Sequence, residues 1–216
     1  MPSTAGSTTP TGTTGRPELR DRVRRFSIVE RTVHQTTVLL MLLCVTTAAC
    51  LYFAPLSQLI GRRHLLATIH VWSGIALPLP SLLGLFSAAF RADLRRLNRF
   101  APYDRQWLSA ALRRRTAPEA RPAGKFNAGQ KLYAGSLAGA VLVMLFTGLL
   151  MWCVGLLPFI SRTSAIFVHD LVAWAIAIAL IAHLRKALAD PEALLAMRTG
   201  HVSRTWAERH HKHWLP

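Results

Sequence analysis

Four long apolar stretches, roughly Thr32–Phe53, Leu65–Phe90, Leu132–Val154 and Thr163–Leu184, leave this 216-residue chain few architectures to choose from. Each approaches or exceeds the ~20 residues an α-helix needs to cross a hydrocarbon core. Helices buried in a soluble core carry polar stripes at helical period, and these stretches mostly do not. With 51% hydrophobic and only 17% charged residues, the expected fold is all-α: an integral membrane bundle of four transmembrane helices.

The formal net charge of +16 suggests nucleic acid until its distribution is read. Of the 26 Lys and Arg, six precede the first stretch, eleven lie between the second and third, and six follow the fourth. Only Arg62, Arg63 and Arg162 occupy the other two connections. This asymmetry follows the positive-inside rule and places both termini in the cytoplasm. Basic flanks beside anionic headgroups account for the charge, and no nucleic-acid motif accompanies it.

Residues 1–20, rich in Ser, Thr, Gly and Pro, read as a disordered tail without the apolar core of a cleavable signal peptide. Residues 21–190 form the membrane domain, with a basic cytoplasmic loop at 91–131, and 191–216 form a cytoplasmic C-terminal tail. Cys44, Cys50 and Cys153 fall in or at the ends of apolar stretches and read as small buried residues. No Cys-x-x-Cys-His is present, which excludes covalent haem attachment, and no zinc-like spacing occurs.

Short outer connections, about 55–64 and 155–162, set helix one beside two and helix three beside four. In the long inner connection, Arg91–Arg99 is expected to continue helix two past the membrane surface, and Ala117–Gly124, with Pro118 and Pro122, to be irregular. Pro78 and Pro80 predict a kink in helix two. Gly135 and Gly139 form a small-xxx-small pair, read first as a helix-packing face and second as cofactor contact.

Histidines inside such helices are costly, and their default reading is functional. His169 and His183 are fourteen residues apart on one helix, nearly four turns, so they share a face roughly 21 Å apart along the axis. Topology sorts the membrane histidines by depth: His34 with His183 at the inner level, His70 with His169 at the outer. Imidazole pairs at two depths suit bis-histidine haem b, whose iron takes one nitrogen from each side. A zinc ion would want further Cys, His or carboxylate ligands, and Asp170 beside His169 is better placed for solvation. The bland reading of a single membrane histidine is a helix–helix hydrogen bond, which four depth-paired residues make a poor account. Gly74 and Ala173, one turn beyond His70 and His169, leave room for a porphyrin edge. Arg31, Arg62, Arg63 and Arg185 stand where propionates could pair, as ordinary flanking residues also do. His64, His201, His210, His211 and His213 are read as solvent-exposed.

From about Arg25 onward the chain resembles the cytochrome b (gamma) subunit of membrane-bound formate dehydrogenase. The resemblance rests on GKFNAGQK at Gly124–Lys131, on the His169–His183 spacing, and on the tail HVSRTWAERHHKHW at His201–Trp214. Cytochromes b of nickel–iron hydrogenases share the four-helix, four-histidine plan but typically not that motif or tail. The resemblance implies a multi-pass subunit of the bacterial inner membrane carrying two haem b. It further implies an iron–sulfur (beta) subunit, fed by a molybdopterin catalytic (alpha) subunit outside, that delivers electrons to the outer level. From the inner level they pass to menaquinone near the cytoplasmic face, and Asn127, Gly129 and Gln130 would contact the quinone. A polar loop there offers hydrogen bonds to a quinone carbonyl, while Asn127 equally suits the N-cap of helix three. The Ser/Thr/Gly/Pro-rich N-terminus and the Arg113–Arg115 segment depart from the family pattern.

The leading expectation is therefore quinone-reducing electron transfer within a formate dehydrogenase. The alternatives are the same chemistry serving a hydrogenase or other dehydrogenase, or a haem-free anchor or transporter using the histidines as a proton relay. Formate chemistry itself is not expected in this chain.

Overall fold

The computed structural model of the chain describes residues 21–113, 117, 120–153 and 161–215. The 1–20 tail, Arg114, Arg115, Pro118, Val154 and most of the second outer connection lie outside the described residues. Four helices are long and apolar enough to span a membrane: α1 (Ile28–Tyr52), the paired α3 (Arg63–Ala76) and α4 (Leu79–Gly84), α7 (Ala128–Trp152) and α8 (Arg162–Leu188). A short α2 (Ala54–Ile60) joins the first two spans and ends at Gly61, whose φ of 66° is open to glycine at little cost. α1 packs against α3 and α7 against α8, the neighbours the short connections demand.

The second span breaks where its prolines stand. α3 stops at Ala76, and Pro78, which has no N–H to donate, is the N-cap of α4. The span then ends at Gly84, short of the expected Phe90, and Arg91–Arg99 does not continue it. Residues 84–87 form tight turns, Ser87 N donating to Gly84 O at 2.9 Å, and Ser87 Oγ caps a new helix, α5 (Ala88–Asn98). A Cβ at Gly84 would lie 2.9 Å from the Phe90 ring and 3.0 Å from Val33, so glycine lets the chain fold back onto α1. α6 (Pro102–Arg113) follows, a helix the sequence reading missed inside the basic loop. The described part of 117–124 is irregular, as expected.

Packing inside the spans is inverted relative to a soluble protein. Leu39, Leu42, Leu142, Phe146, Ile178 and Ile181 are all more than half exposed, while Thr47, Ser73 and Thr147 are buried. In lipid, large apolar side chains lose nothing by facing outward, whereas hydroxyls must find partners within the bundle. Thr47 Oγ1 donates to Leu43 O at 2.6 Å and Thr147 Oγ1 to Val143 O at 2.8 Å, satisfying both locally. The apolar centre is a cluster of Met41, Leu77 and Ile176.

At one end of the bundle the first described residues, from Asp21 on, are tied to the C-terminal segment. The C-terminal segment is no loose tail: α9 (Pro191–Thr199), β2 (His201–Ser203) and α10 (Arg204–His210) pack as one unit, and β2 pairs antiparallel with β1 (Arg22–Arg24). Arg25 N and Phe26 N both donate to Gly200 O, at 2.8 and 3.1 Å. Gly200 itself sits at φ 87°, and any Cβ there would press on Phe26 O. His211, expected in solvent, is buried at 3% exposure, with its Nδ1 donating to Gly124 O at 2.5 Å. Burial, then the charge of Arg25, holds its imidazole down at about 3, so it stays neutral. His213 stays exposed, as expected, with its ring stacked on Tyr103 at 4.7 Å.

Two lysines of the 124–131 motif are buried in the same region. Lys131 Nζ binds Asp104 Oδ2 at 2.6 Å and Arg99 O at 2.9 Å, with both charged side chains almost wholly enclosed. Removing one member of a buried pair strands the other charge, at a cost of about 3–5 kcal/mol. Lys131→Met should therefore lower stability in detergent by that amount. Arg204→Met, which loses only exposed ion pairs with Asp21 and Glu208, should cost under ~1 kcal/mol. Equal denaturation midpoints for the two variants would refute the distinction.

Candidate functional site

One pair, His70 with His169, is built from α3 and α8. His70 and His169 face each other with ring centres 6.2 Å apart and planes at 72°. Each imidazole is aimed by a threonine on a neighbouring helix. His70 Nδ1 lies 3.0 Å from Thr47 Oγ1 and 3.1 Å from Cys44 O; His169 Nδ1 lies 2.8 Å from Thr147 Oγ1. Cys44 O can only accept, and each threonine hydroxyl already donates to its own helix, so in both rings Nδ1 carries the proton. That leaves the Nε2 lone pair free on each, the tautomer a metal-ligating histidine needs. Thr47 and Thr147 are the functional residues the sequence reading missed. Their signal was present as hydroxyls in mid-span, but nothing in the sequence tied them to particular histidines.

His34 and His183 form the second pair, between α1 and α8, with ring centres 6.5 Å apart and planes at 51°. Tyr133 on α7 stacks on His183 at 4.8 Å and 7°, fixing its plane by ring contact in place of a hydroxyl. Beside His34 a cavity of about 430 Å³ is lined by Gln35, Val38, Leu194, Met197 and Arg198, bringing α9 against the start of α1. Arg31 and Gln35 donate to the carbonyls of Arg198 and Met197 across that seam. The two levels are separated by the apolar cluster, whose members stand midway: Met41 is seven residues from His34, Leu77 seven from His70, and Ile176 seven from both His169 and His183.

Two metal–nitrogen bonds of about 2 Å, with about 1 Å from each nitrogen to its ring centre, put ring centres roughly 6 Å apart. Both pairs match that separation. Among the described residues no group of three or more His, Cys, Asp or Glu is arranged to hold a metal ion. Each pair thus offers two imidazole nitrogens and no further protein ligand among the described residues, a donor set that would suit an iron bringing its own macrocycle. A Cβ at Gly74, Gly135 or Gly139 would meet no atom within 4 Å, and one at Gly148 would meet only His169 Cε1, at 3.6 Å. Gly135 and Gly139 are therefore not a close helix-packing face, and the second reading of that spacing gains. The residues present fit bis-histidine haem at both levels.

The Gly124–Lys131 motif is first of all a structural joint. Asn127 is the N-cap of α7 in a capping box: its Oδ1 accepts from Gln130 N, and Gln130 Oε1 accepts from Asn127 N, both at 2.9 Å. Gly129 is approached by an indole, since a Cβ there would stand 2.8 Å from Trp107. Gly124 is likewise crowded by Tyr103. Capping uses the side-chain oxygens of Asn127 and Gln130 and leaves their amide N–H groups available. Tyr133, and through it His183, stands six residues further along α7, roughly 9 Å along the axis.

Comparison with known proteins agrees with this geometry. The chain is 26% identical over 200 residues to the cytochrome b556(Fdn) subunit of the nitrate-inducible formate dehydrogenase of Escherichia coli strain K12, covering 88% of each chain. It is 24% identical over 201 residues to the cytochrome b556(fdo) subunit of formate dehydrogenase from the same strain, covering 90% of this chain and 92% of the other. The cytochrome b556 subunit of Haemophilus influenzae formate dehydrogenase is 24% identical over 203 residues, covering 89% and 82%. The family model described as prokaryotic cytochrome b561 matches residues 25–200, from Arg25 beside the N-terminal strand to Gly200 at the C-cap of α9. With four spanning helices and four paired histidines, the chain belongs to the prokaryotic cytochrome b561 family of membrane proteins.

Proposed function

We propose that this chain is the dihaem cytochrome b subunit of a membrane-bound formate dehydrogenase, accepting electrons from an iron–sulfur subunit at the outer face and delivering them to menaquinone near the cytoplasmic face. The observation that carries the reading is the pair of facing imidazoles at each of two depths, 6.2 and 6.5 Å between ring centres. Similarity to named formate dehydrogenase subunits over most of the chain favours that enzyme over a hydrogenase. The basic residues gathered at the termini support a cytoplasmic placement for that end.

His34 and His183 would hold the inner haem b, and His70 and His169 the outer. Bound there, haem b supplies reversible one-electron transfer. Thr47 and Thr147 keep the outer imidazoles in the ligating tautomer, and Tyr133 orients His183. Met41, Leu77 and Ile176 keep water from the space between the two levels. Asn127 and Gln130 can donate amide N–H groups to a quinone carbonyl while their oxygens cap α7. Gly129 packs against Trp107, so the space beside its Cα goes to the indole and the quinone contacts fall to Asn127 and Gln130.

Quantifying haem in the purified chain, by reduced-minus-oxidised absorbance, is the direct test. About two b-type haems per chain are expected, and none would sink the proposal. His70→Ala and His169→Ala should each remove the outer signal and keep the inner, and His34→Ala and His183→Ala the reverse. Thr147→Val should weaken haem retention at the outer level about 10–100-fold, as loss of an orienting partner does. Retention equal to wild type would show that the hydroxyl does not orient the ligand. Asn127→Asp and Gln130→Glu keep the capping acceptors and delete the amide donors. Both haems should persist in these variants while quinone turnover falls. Undiminished turnover would remove Asn127 and Gln130 from the quinone site.

A further inference from the structure

A second cluster of buried charge lies two residues ahead of the Asn127 cap. Lys125 Nζ contacts Asp93 Oδ2 on α5 and lies 3.5 Å from Glu30 Oε1 on α1. All three side chains are more than nine-tenths buried. Asp93 Oδ1 also accepts from Arg96 Nη1 at 2.7 Å, and Arg96 is about half exposed, so this corner of the cluster opens to the aqueous surface. Arg25 lies on the third side, its Nη2 donating to Lys125 O at 3.1 Å and its charge acting on Asp93 and Asp190.

The two carboxyls meet at the Lys125 ammonium, Asp93 Oδ2 in contact with it and Glu30 Oε1 3.5 Å away. Glu30 Oε2 accepts from Ser27 N at 2.5 Å, but Glu30 Oε1 receives no hydrogen bond from any fixed donor. A buried carboxylate oxygen without a donor is costly, and a proton held between the two acids satisfies it. Asp104 Oδ1 is likewise buried without a donor, but no second acid pairs with Lys131 among the described residues. Burial, and then the hydrogen bond with Glu30, raises the Asp93 carboxyl to about 6 against the pull of Lys125 and Arg96. Asp93 thus takes up a proton more readily than a free carboxyl, and it lies between the aqueous surface at Arg96 and the lead-in to the Asn127 cap.

We propose that Glu30 and Asp93 supply a proton for quinone reduction at the Asn127–Gln130 loop, by way of Lys125, and are refilled from cytoplasmic water past Arg96. This rests on the proposed quinone-reducing function. The overall balance is quinone plus two electrons and two protons to quinol, the electrons coming from the dehydrogenase. For the proton from the pair, a Lys125 N–H bond breaks as an O–H bond forms on the reduced quinone oxygen, and a carboxyl O–H bond breaks as that N–H bond re-forms. The carboxylate left behind is then reprotonated. Neither acid touches the quinone in this scheme; both act through Lys125.

The sign of the pH dependence follows. Asp93 is half loaded at about pH 6, fuller below and emptier above, so quinone reduction limited by this proton slows as pH rises.

The test uses the assembled complex in lipid vesicles, with a soluble naphthoquinone as acceptor. Two rates are read separately: reduction of the b-type absorbance by the electron donor, and its reoxidation by the naphthoquinone. In Asp93→Asn and Glu30→Gln the first should be unchanged and the second slowed on the order of 100-fold, without the fall above pH 6. A carboxyl band in the redox infrared difference spectrum should vanish in Asp93→Asn. Asp93→Glu keeps the acid and should retain the rate with a displaced pH midpoint, which carries the test should the Asn variant fail to assemble. Glu208→Gln, an exposed acid in α10, should leave both rates alone. Reoxidation with wild-type rate and pH profile in either acid-deleting variant, or an unmoved midpoint in Asp93→Glu, overturns the proposal. Failure of the naphthoquinone to reoxidise the wild-type complex would instead reject the quinone-reducing function beneath it.

Discussion

The buried contacts of Lys125 with Asp93 and Glu30 bind the membrane bundle to everything at its basic end. Glu30 belongs to the first turn of α1, Asp93 to the helix that follows the second span, and Lys125 to the lead-in of the third. One ammonium thus joins three stretches of chain that lie far apart in sequence. The Lys125 carbonyl takes Arg25 from the N-terminal segment, whose guanidinium lies over the Trp206 ring at 4.7 Å. Charge enclosed this way contributes little net stability against a well-packed apolar substitute, but it is intolerant of losing any partner. Such intolerance favours a single register of the segments over competing ones.

That register matters to the histidines. His34 stands one turn beyond Glu30 on α1, and His183 is stacked by Tyr133, two positions beyond Lys131 on α7. A shift of the basic end would carry both imidazoles with it. The opposite level is secured differently, by hydroxyl contacts inside the bundle that need no charge. Ionic fixing at the interface and hydroxyl fixing at depth follow the cost of burying each group: charge is tolerable only where water and partner charges remain close, whereas a threonine can satisfy itself on its own helix.

Much of the candidate site was legible before any fold was known. Span order and direction paired His34 with His183 and His70 with His169, and the structure brings those rings face to face. Gly129 shows the limit of such reading. The resemblance implied it as a quinone contact, but what lies against it is Trp107, from a helix the sequence did not reveal. His211 failed for a related reason. A histidine in a short polar segment is ordinarily solvated, and only the folding of α9, β2 and α10 onto the Gly124 carbonyl buries it.

The sequence by itself determined the number of spans, the break at Pro78, the gathering of positive charge at one end and which histidines pair. These depend on hydropathy, on the missing proline N–H and on helical rise, all local or additive along the chain. Tertiary structure alone decided where the second span turns back, which threonines orient which imidazoles, and that two acids from different helices meet over one lysine. Those facts depend on the angular placement of helices about one another, which packing sets and no single helix encodes.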